Sequence, residues 1–198
     1  MTELVPETYF APLDLFSVFG RIAPLQVDLG CGDGAFLSEL ARCHPDQSFL
    51  GIEKLVGRVA KACRKTAALE NVRILKVESS YAVRYLLPEN SVSIFNLLFP
   101  DPWPKRRHRR RRIVTTDFLD SIHRALEPGG FFHIATDQLD YFKQMQTIVA
   151  FTAGKLECMK DSSFWEHVDL PITKFERRFR EQDTPIYRLA LRKISPFK

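Results

Sequence analysis

The sequence has no apolar run near the roughly 18 residues that a membrane-spanning helix needs. Its first residues, with Thr2, Glu3 and Pro6, lack the basic-then-apolar order of a secretory leader. The four cysteines (Cys31, Cys43, Cys63 and Cys158) form no Cys-x-x-Cys pair and keep no ligand spacing to histidine. They therefore read as buried reduced thiols of a cytoplasmic protein rather than as disulfide or zinc ligands. His108, His123 and His133 have no chelating partner at suitable spacing, so no metal is expected. Repeats, low-complexity tracts and linkers are missing too. The 198 residues are expected to form one domain, with residues 1–24 as an N-terminal cap.

What is present is unevenly spread. The formal charge is +5, from 29 basic and 24 acidic residues. Seven of the eight residues from Lys105 to Arg112 are Lys or Arg. Without them, 22 basic residues face 24 acidic ones, a net charge of −2. The basicity is thus local, as a placed binding surface for a polyanion would be.

Short apolar runs alternate with amphipathic stretches, the pattern of an α/β domain with a mostly parallel sheet. Strands are expected at Leu25–Leu29, Ser48–Ile52, Val72–Val77, Val92–Phe99 and Phe131–Ala135. Helices are expected near 34–43, 56–69, 81–87, 114–126 and 139–150, and Ile186–Arg192 alternates like an edge strand.

Where the first strand meets its helix the chain reads Val27-Asp-Leu-Gly-Cys-Gly-Asp-Gly34. Gly30, Gly32 and Gly34 permit a tight turn that a ligand can approach closely. Glu53 follows Gly30 by 23 residues, at the end of the second strand, where it can accept hydrogen bonds from a ribose diol. The spacing is Gly-x-Gly-x-Gly rather than the dinucleotide Gly-x-Gly-x-x-Gly, which argues against a dehydrogenase. Asp28, just before the turn, would repel a pyrophosphate but suits a cationic ligand with an ammonium and a sulfonium. S-adenosylmethionine is such a ligand.

The segment Phe99-Pro-Asp-Pro-Trp-Pro104 follows the fourth strand. Pro100, Pro102 and Pro104 fix three φ angles and remove three donors, so this is a stiff loop. It presents one carboxylate, Asp101, and one indole, Trp103, beside the basic run. Trp103 reads either as a stacking platform for a base or as packing for the loop. An acid-plus-aromatic loop joined to a polycation suggests chemistry on a nucleic acid.

With these motifs together, the chain resembles the bacterial tRNA (guanine-N7)-methyltransferases, class I Rossmann-like enzymes. The resemblance spans nearly the whole sequence and includes Phe49-Leu-Gly-Ile-Glu53, Leu98-Phe-Pro-Asp-Pro-Trp103, Arg111-Arg-Ile-Val114, Ala135-Thr-Asp137 and Thr173-Lys-Phe-Glu176. It implies methyl transfer from S-adenosylmethionine to N7 of a tRNA guanine, typically position 46 in the variable loop. It places Asp28, Glu53, Glu78 and Asp101 around the cofactor, with Ser79 or Ser80 as alternatives to Glu78. It assigns Lys105, Asp137, Thr173, Lys174, Phe175 and Glu176 to substrate, and the basic stretch, with Arg107, Arg109, Arg110, Arg111 and Arg112, to RNA. Two departures stand out: Asp28 replaces the more usual glutamate, and Glu78 stands where aspartate is commoner.

Guanine N7 carries a lone pair and no proton, so its methylation needs no obligatory base. Asp101 is the candidate catalytic residue, organising the reacting centre. N7 must stay free, so recognition should use the Watson–Crick edge, whose donors call for the carboxylates of Asp137 and Glu176. Two other readings remain at this level: a methyltransferase of the same fold with another acceptor, and a non-catalytic RNA-binding protein on that fold. The sequence leaves monomer and homodimer equally open.

Overall fold

A computed structural model of the chain describes residues 2–152, 154–159, 164–167 and 170–194, with the backbone alone at 166 and 167. Glu3–Leu4 (β1) opens the chain, and Leu15–Phe19 (α1) follows, capped by the Asp14 carboxylate. Then come Leu25–Leu29 (β2), Ala35–Cys43 (α2), Ser48–Glu53 (β3), Val56–Lys65 (α3) and Val72–Lys76 (β4). The turn Ser79–Tyr81 (α4) runs into a π-helical turn at Ala82–Leu86. Next are Val92–Leu98 (β5), a 3₁₀ helix at Arg106–Arg111, Thr116–Ala125 (α5), Leu126–Thr136 (β6) and Leu139–Phe151 (α6). The chain ends in Leu156–Cys158 (β7), Phe164–His167 (α7), Lys174–Glu181 (α8) and Tyr187–Lys193 (β8).

The strands form one sheet in the order β1-β4-β3-β2-β5-β6-β8-β7, parallel from β1 to β6. Every residue of β2 and β3 is buried, as central parallel strands covered on both faces are, even though Gln26 and Asp28 make β2 alternate in sequence. The strand order reverses at β2, with β3 and β4 on one side and β5 and β6 on the other. In open α/β sheets such a switch point leaves a crevice at the carboxyl edge, where ligands bind.

Two apolar layers sandwich the sheet. On one face α5, α6 and the π turn pack on Val27, Leu50, Phe95, Phe132 and Ile134. Leu13 and Leu15, from the expected cap, join this layer. On the other face α2 and α3 bring Leu37, Leu40, Val59 and Ala62 onto Phe49, Val72 and Ile74. Truncating fully buried Phe95 to Ala should cost about 3–5 kcal/mol.

Three details depart from the sequence reading. The last strand is not an edge, because β7 pairs antiparallel along its outer side. The strand expected from Phe131 begins at Leu126 and bulges, so that Val92 faces Leu126 but Ile94 faces Phe131. Gly130 is forced there, since a Cβ would lie 2.9 Å from Ser93 O. Of the thiols expected to be buried, only Cys31 is; Cys43 is exposed, and Cys63 and Cys158 pack at the margins of the two core layers and are partly exposed.

Candidate active site at the carboxyl edge of the sheet

Parallel registration gathers the acids singled out in the sequence. Asp28 lies opposite Gly51 on β3 and Asn96 on β5, Glu53 ends β3, and Leu98 of β5 lies opposite Ala135 of β6. Asp28, Glu53, Glu78, Asp101 and Asp137 therefore all emerge at or just past the carboxyl ends of five adjacent strands.

The glycine turn is built for close approach. Gly30, Gly32 and Gly34 all hold left-handed backbone, at φ +80°, +58° and +74°. Gly34 is held for packing: a Cβ there would sit 2.9 Å from Ala62 of α3. At Gly30 a Cβ would meet nothing within 4 Å, so open space borders the turn. Glu53, buried to 4 % exposure, ties this turn to β3: its Oε2 accepts from Gly32 N–H at 3.2 Å and its Oε1 from Leu55 N–H at 2.9 Å. Arg58 stands 3.8 Å away. No donor among the described residues reaches the Asp28 carboxylate. Burial, with the Glu53 charge second, pushes its pKa up to about 7. A buried acid beside open space and lacking a counter-charge is a site for a cation, and the turn leaves room for a nucleoside. The residues present fit S-adenosylmethionine.

Glu78 is exposed and caps α4, accepting from Tyr81 N–H at 2.9 Å. Ser79 and Ser80 begin that turn and are half-buried.

The proline loop is strained. Phe99 and Trp103, on either side of Asp101, both hold left-handed backbone, at φ +55° and +43°. Bulky residues seldom sit there, and each costs on the order of 1–3 kcal/mol. Asp101 is exposed, with no hydrogen bond or ion pair among the described residues. Trp103 packs edge-on against His108 at 5.8 Å, and Arg111 lies over its ring at 4.9 Å, so the indole holds the loop down.

The basic run forms the 3₁₀ helix, which Lys105 starts. Lys105, Arg106, Arg107, Arg109, Arg110 and Arg111 are exposed, and Arg109 also pairs with Asp140 at 3.0 Å. Arg112 departs from its expected role in RNA binding. It is 3 % exposed, with its guanidinium spent on Pro102 O, Gln144 and Asp140. A side chain enclosed in this way cannot meet a phosphate.

The Thr173-Lys-Phe-Glu segment opens α8, where Thr173 Oγ1 accepts from Glu176 N–H at 3.0 Å. It docks on both halves of the crevice. Lys174 pairs with Asp33 of the glycine turn, which Lys65 also reaches at 2.8 Å. Burial works against the Asp33 charge, but hydrogen bonds from Lys174 and Lys65 outweigh it and hold the carboxyl well below the usual range. Phe175 is exposed, with its ring centroid 6.2 Å from Phe99, and Phe179 is 5.3 Å from Phe99. Glu176 is buried, and one of its oxygens accepts from both Arg180 and Arg188. It is therefore already neutralised, whereas Asp137 bonds only its neighbour Gln138 among the described residues.

Asp33, Asp140 and Arg188 were not singled out in the sequence. Asp33 sits inside the glycine motif, which was a signal. Nothing local marks the other two. No group of residues among those described could hold a metal ion, and no described helix is long and apolar enough to cross a membrane.

The chain matches the sequence profile of a family described as putative methyltransferase over residues 22–189. It is 35% identical over 195 residues to the tRNA (guanine-N(7)-)-methyltransferase of Thermotoga maritima, covering 97% of this chain and 61% of that protein. It is 38% identical over 183 residues to the enzyme of the same name from Halorhodospira halophila, covering 91% and 79%. Among solved structures, the 16S rRNA methyltransferase KamB superposes with a TM-score of 0.63 at 18% identity, covering 92% of this chain and 93% of KamB. The antibiotic-resistance methyltransferase Kmr gives 0.62 at 17%, covering 98% and 96%. At these identities the two structures speak for the fold alone. Sequence identity along nearly its whole length places the chain, as a member, in the tRNA (guanine-N(7)-)-methyltransferase family.

Proposed function

We propose that this protein transfers a methyl group from S-adenosylmethionine to N7 of a guanine in tRNA, at position 46 of the variable loop. The observation that carries the reading is the crevice itself. A glycine turn with an uncompensated buried carboxylate lies at the switch point beside a strained, acid-bearing loop that continues into a polycation.

The bound cofactor supplies an electrophilic methyl on a sulfonium. Asp28 takes the ammonium of its amino acid end, and the exchange of a buried proton for a buried cation suits a carboxyl titrating near 7. Glu53, already aimed by Gly32 and Leu55, has lone pairs left for ribose hydroxyls. Glu78, or Ser79 or Ser80 beside it, meets the base from the start of α4. Because N7 has no proton to lose, the protein's task is alignment, a contribution of roughly 7–11 kcal/mol in favourable cases. Asp101 holds the reacting centre from a loop that cannot relax, and its charge favours the cation that forms on the methylated purine. Asp137 accepts from the donors of the guanine's Watson–Crick edge. Glu176, paired by two arginines, shapes that wall together with Thr173 and Phe175. Lys105, Arg107, Arg110 and Arg111 meet tRNA phosphates, and Arg109 joins them from its Asp140 pair.

The test is transfer of labelled methyl to unmodified tRNA, with duplex DNA and protein as parallel acceptors. Label in tRNA alone, lost in Asp101→Ala, is the expected result. Label in DNA or protein, or in none of the three, would refute the reading.

A further inference from the structure

Asp101 sits between two residues in left-handed backbone, and a loop of that kind keeps one shape only where its surroundings over-determine it. On the Phe99 side the support is plain: Phe99 N–H donates to Ala135 O at 2.8 Å, and its ring packs on Phe179. On the Trp103 side the backbone hold comes from Arg112. Its Nε donates to Pro102 O at 2.8 Å, one terminal nitrogen donates to Gln144 Oε1 at 2.5 Å, and the other to Asp140 Oδ2 at 2.6 Å. Its Cζ lies 4.6 Å from the centroid of the fully buried Tyr141 ring. One bond from each of its three nitrogens, with the Tyr141 ring beneath, fixes the planar guanidinium in a way that a lysine ammonium cannot reproduce.

The anchor is firm at its far end. Asp140, Tyr141 and Gln144 all belong to α6, and Tyr141 Oη accepts from Val114 N–H at 3.2 Å. Bonding to Arg112 outweighs burial and, with the Arg109 charge adding to it, holds the Asp140 carboxyl below its usual range.

We propose that Arg112, the one cation of the basic run turned inward, is a positioning residue for Asp101. It carries the fixed position of α6 to the Pro102 carbonyl, next to the Asp101 residue. The proposal rests on Asp101 organising the reacting centre. It removes Arg112 from the RNA surface and gives α6 a part in catalysis with no substrate contact of its own.

The variant that isolates the role is Arg112→Lys, which keeps a charge for Asp140 but not the bond to Pro102. The kcat for tRNA methylation should fall at least about tenfold, as for a small misplacement of a reacting group, while KM for tRNA and Kd for S-adenosylmethionine stay within about threefold. Amide hydrogen exchange of Phe99, His108 and Arg112, whose N–H groups donate to Ala135 O, Lys105 O and Arg109 O around the loop, should quicken by about tenfold or more, read without substrate. Unchanged exchange overturns the proposal, and so does a raised tRNA KM at constant kcat, which would return Arg112 to RNA binding. If Arg112→Lys does not fold, Gln144→Leu removes one of the three bonds and is judged by the same readouts. Should Asp101→Ala keep full activity, the reading of Asp101 fails, while quickened exchange in Arg112→Lys still upholds the clamp.

Discussion

The two halves of the crevice are built in opposite ways. The β2–β3 half is buried and shaped by glycines, and its charge is negative and uncompensated at Asp28. The β5 half is exposed, shaped by prolines and strained side-chain-bearing residues, and runs into six exposed cations. In the function proposed, one half is the slot for a small cation. The other is the platform for a polyanion, with its acid held out in solvent. Each therefore fails in its own way, and the failures are separable.

The largest effect should come from Gly34→Val. It forces a β-branched residue into φ +74° with its Cβ 2.9 Å from Ala62, so about 3 kcal/mol of stability should be lost, read by thermal melting. Cofactor binding should go with it. Asp101→Ala should instead lower the methylation rate by about 100-fold, with a much smaller loss of cofactor affinity, measured by calorimetry, and an unchanged melting temperature. If Asp101→Ala weakens cofactor binding equally, the division between the halves breaks down.

That division was partly legible in the sequence. Most of the parallel strands read as short apolar runs, and the glycines and prolines punctuate them, so the five strand ends and their acids fell where the motifs put them. Which cation of the run turns inward was not legible, because Arg112 is distinguished only by Asp140, Gln144 and Tyr141, some 30 residues on. Glu176 was read as an open acceptor for the same reason: Arg180 lies within its helix, but Arg188 arrives from β8. The last strand's interior place depends on β7, three residues too short to announce themselves.

A pH titration sharpens the comparison further. The Asp28 carboxyl titrates near 7 in the folded protein, above the unfolded range of about 4. Its contribution to the stability of the ligand-free protein is therefore fully present below pH 4 and is lost as pH rises through 7. Cofactor binding runs the other way, since it needs the ionised form. Affinity should drop as pH falls from 8 to 6, by up to about tenfold per unit below 7, and Asp28→Asn should abolish both trends. A flat profile in the native protein would take the ammonium away from Asp28.

Salt should separate the halves more gently. If about five phosphates are neutralised, log affinity for tRNA should fall with log salt at a slope of roughly −3 to −5, while cofactor affinity barely moves. The smallest effect is expected for Lys174→Ala. Its bridge to Asp33 is largely exposed, worth about 0–1 kcal/mol, and Lys65 remains. Cofactor affinity should shift by no more than about threefold on titration.

The central claim is the target atom, and one chemical measurement reads it. Unmodified tRNA incubated with this protein and S-adenosylmethionine is treated with borohydride and aniline, which cleave the chain at N7-methylguanine. The account requires a single new cut, at the variable-loop guanine. Methyl incorporation with no cut there would contradict it.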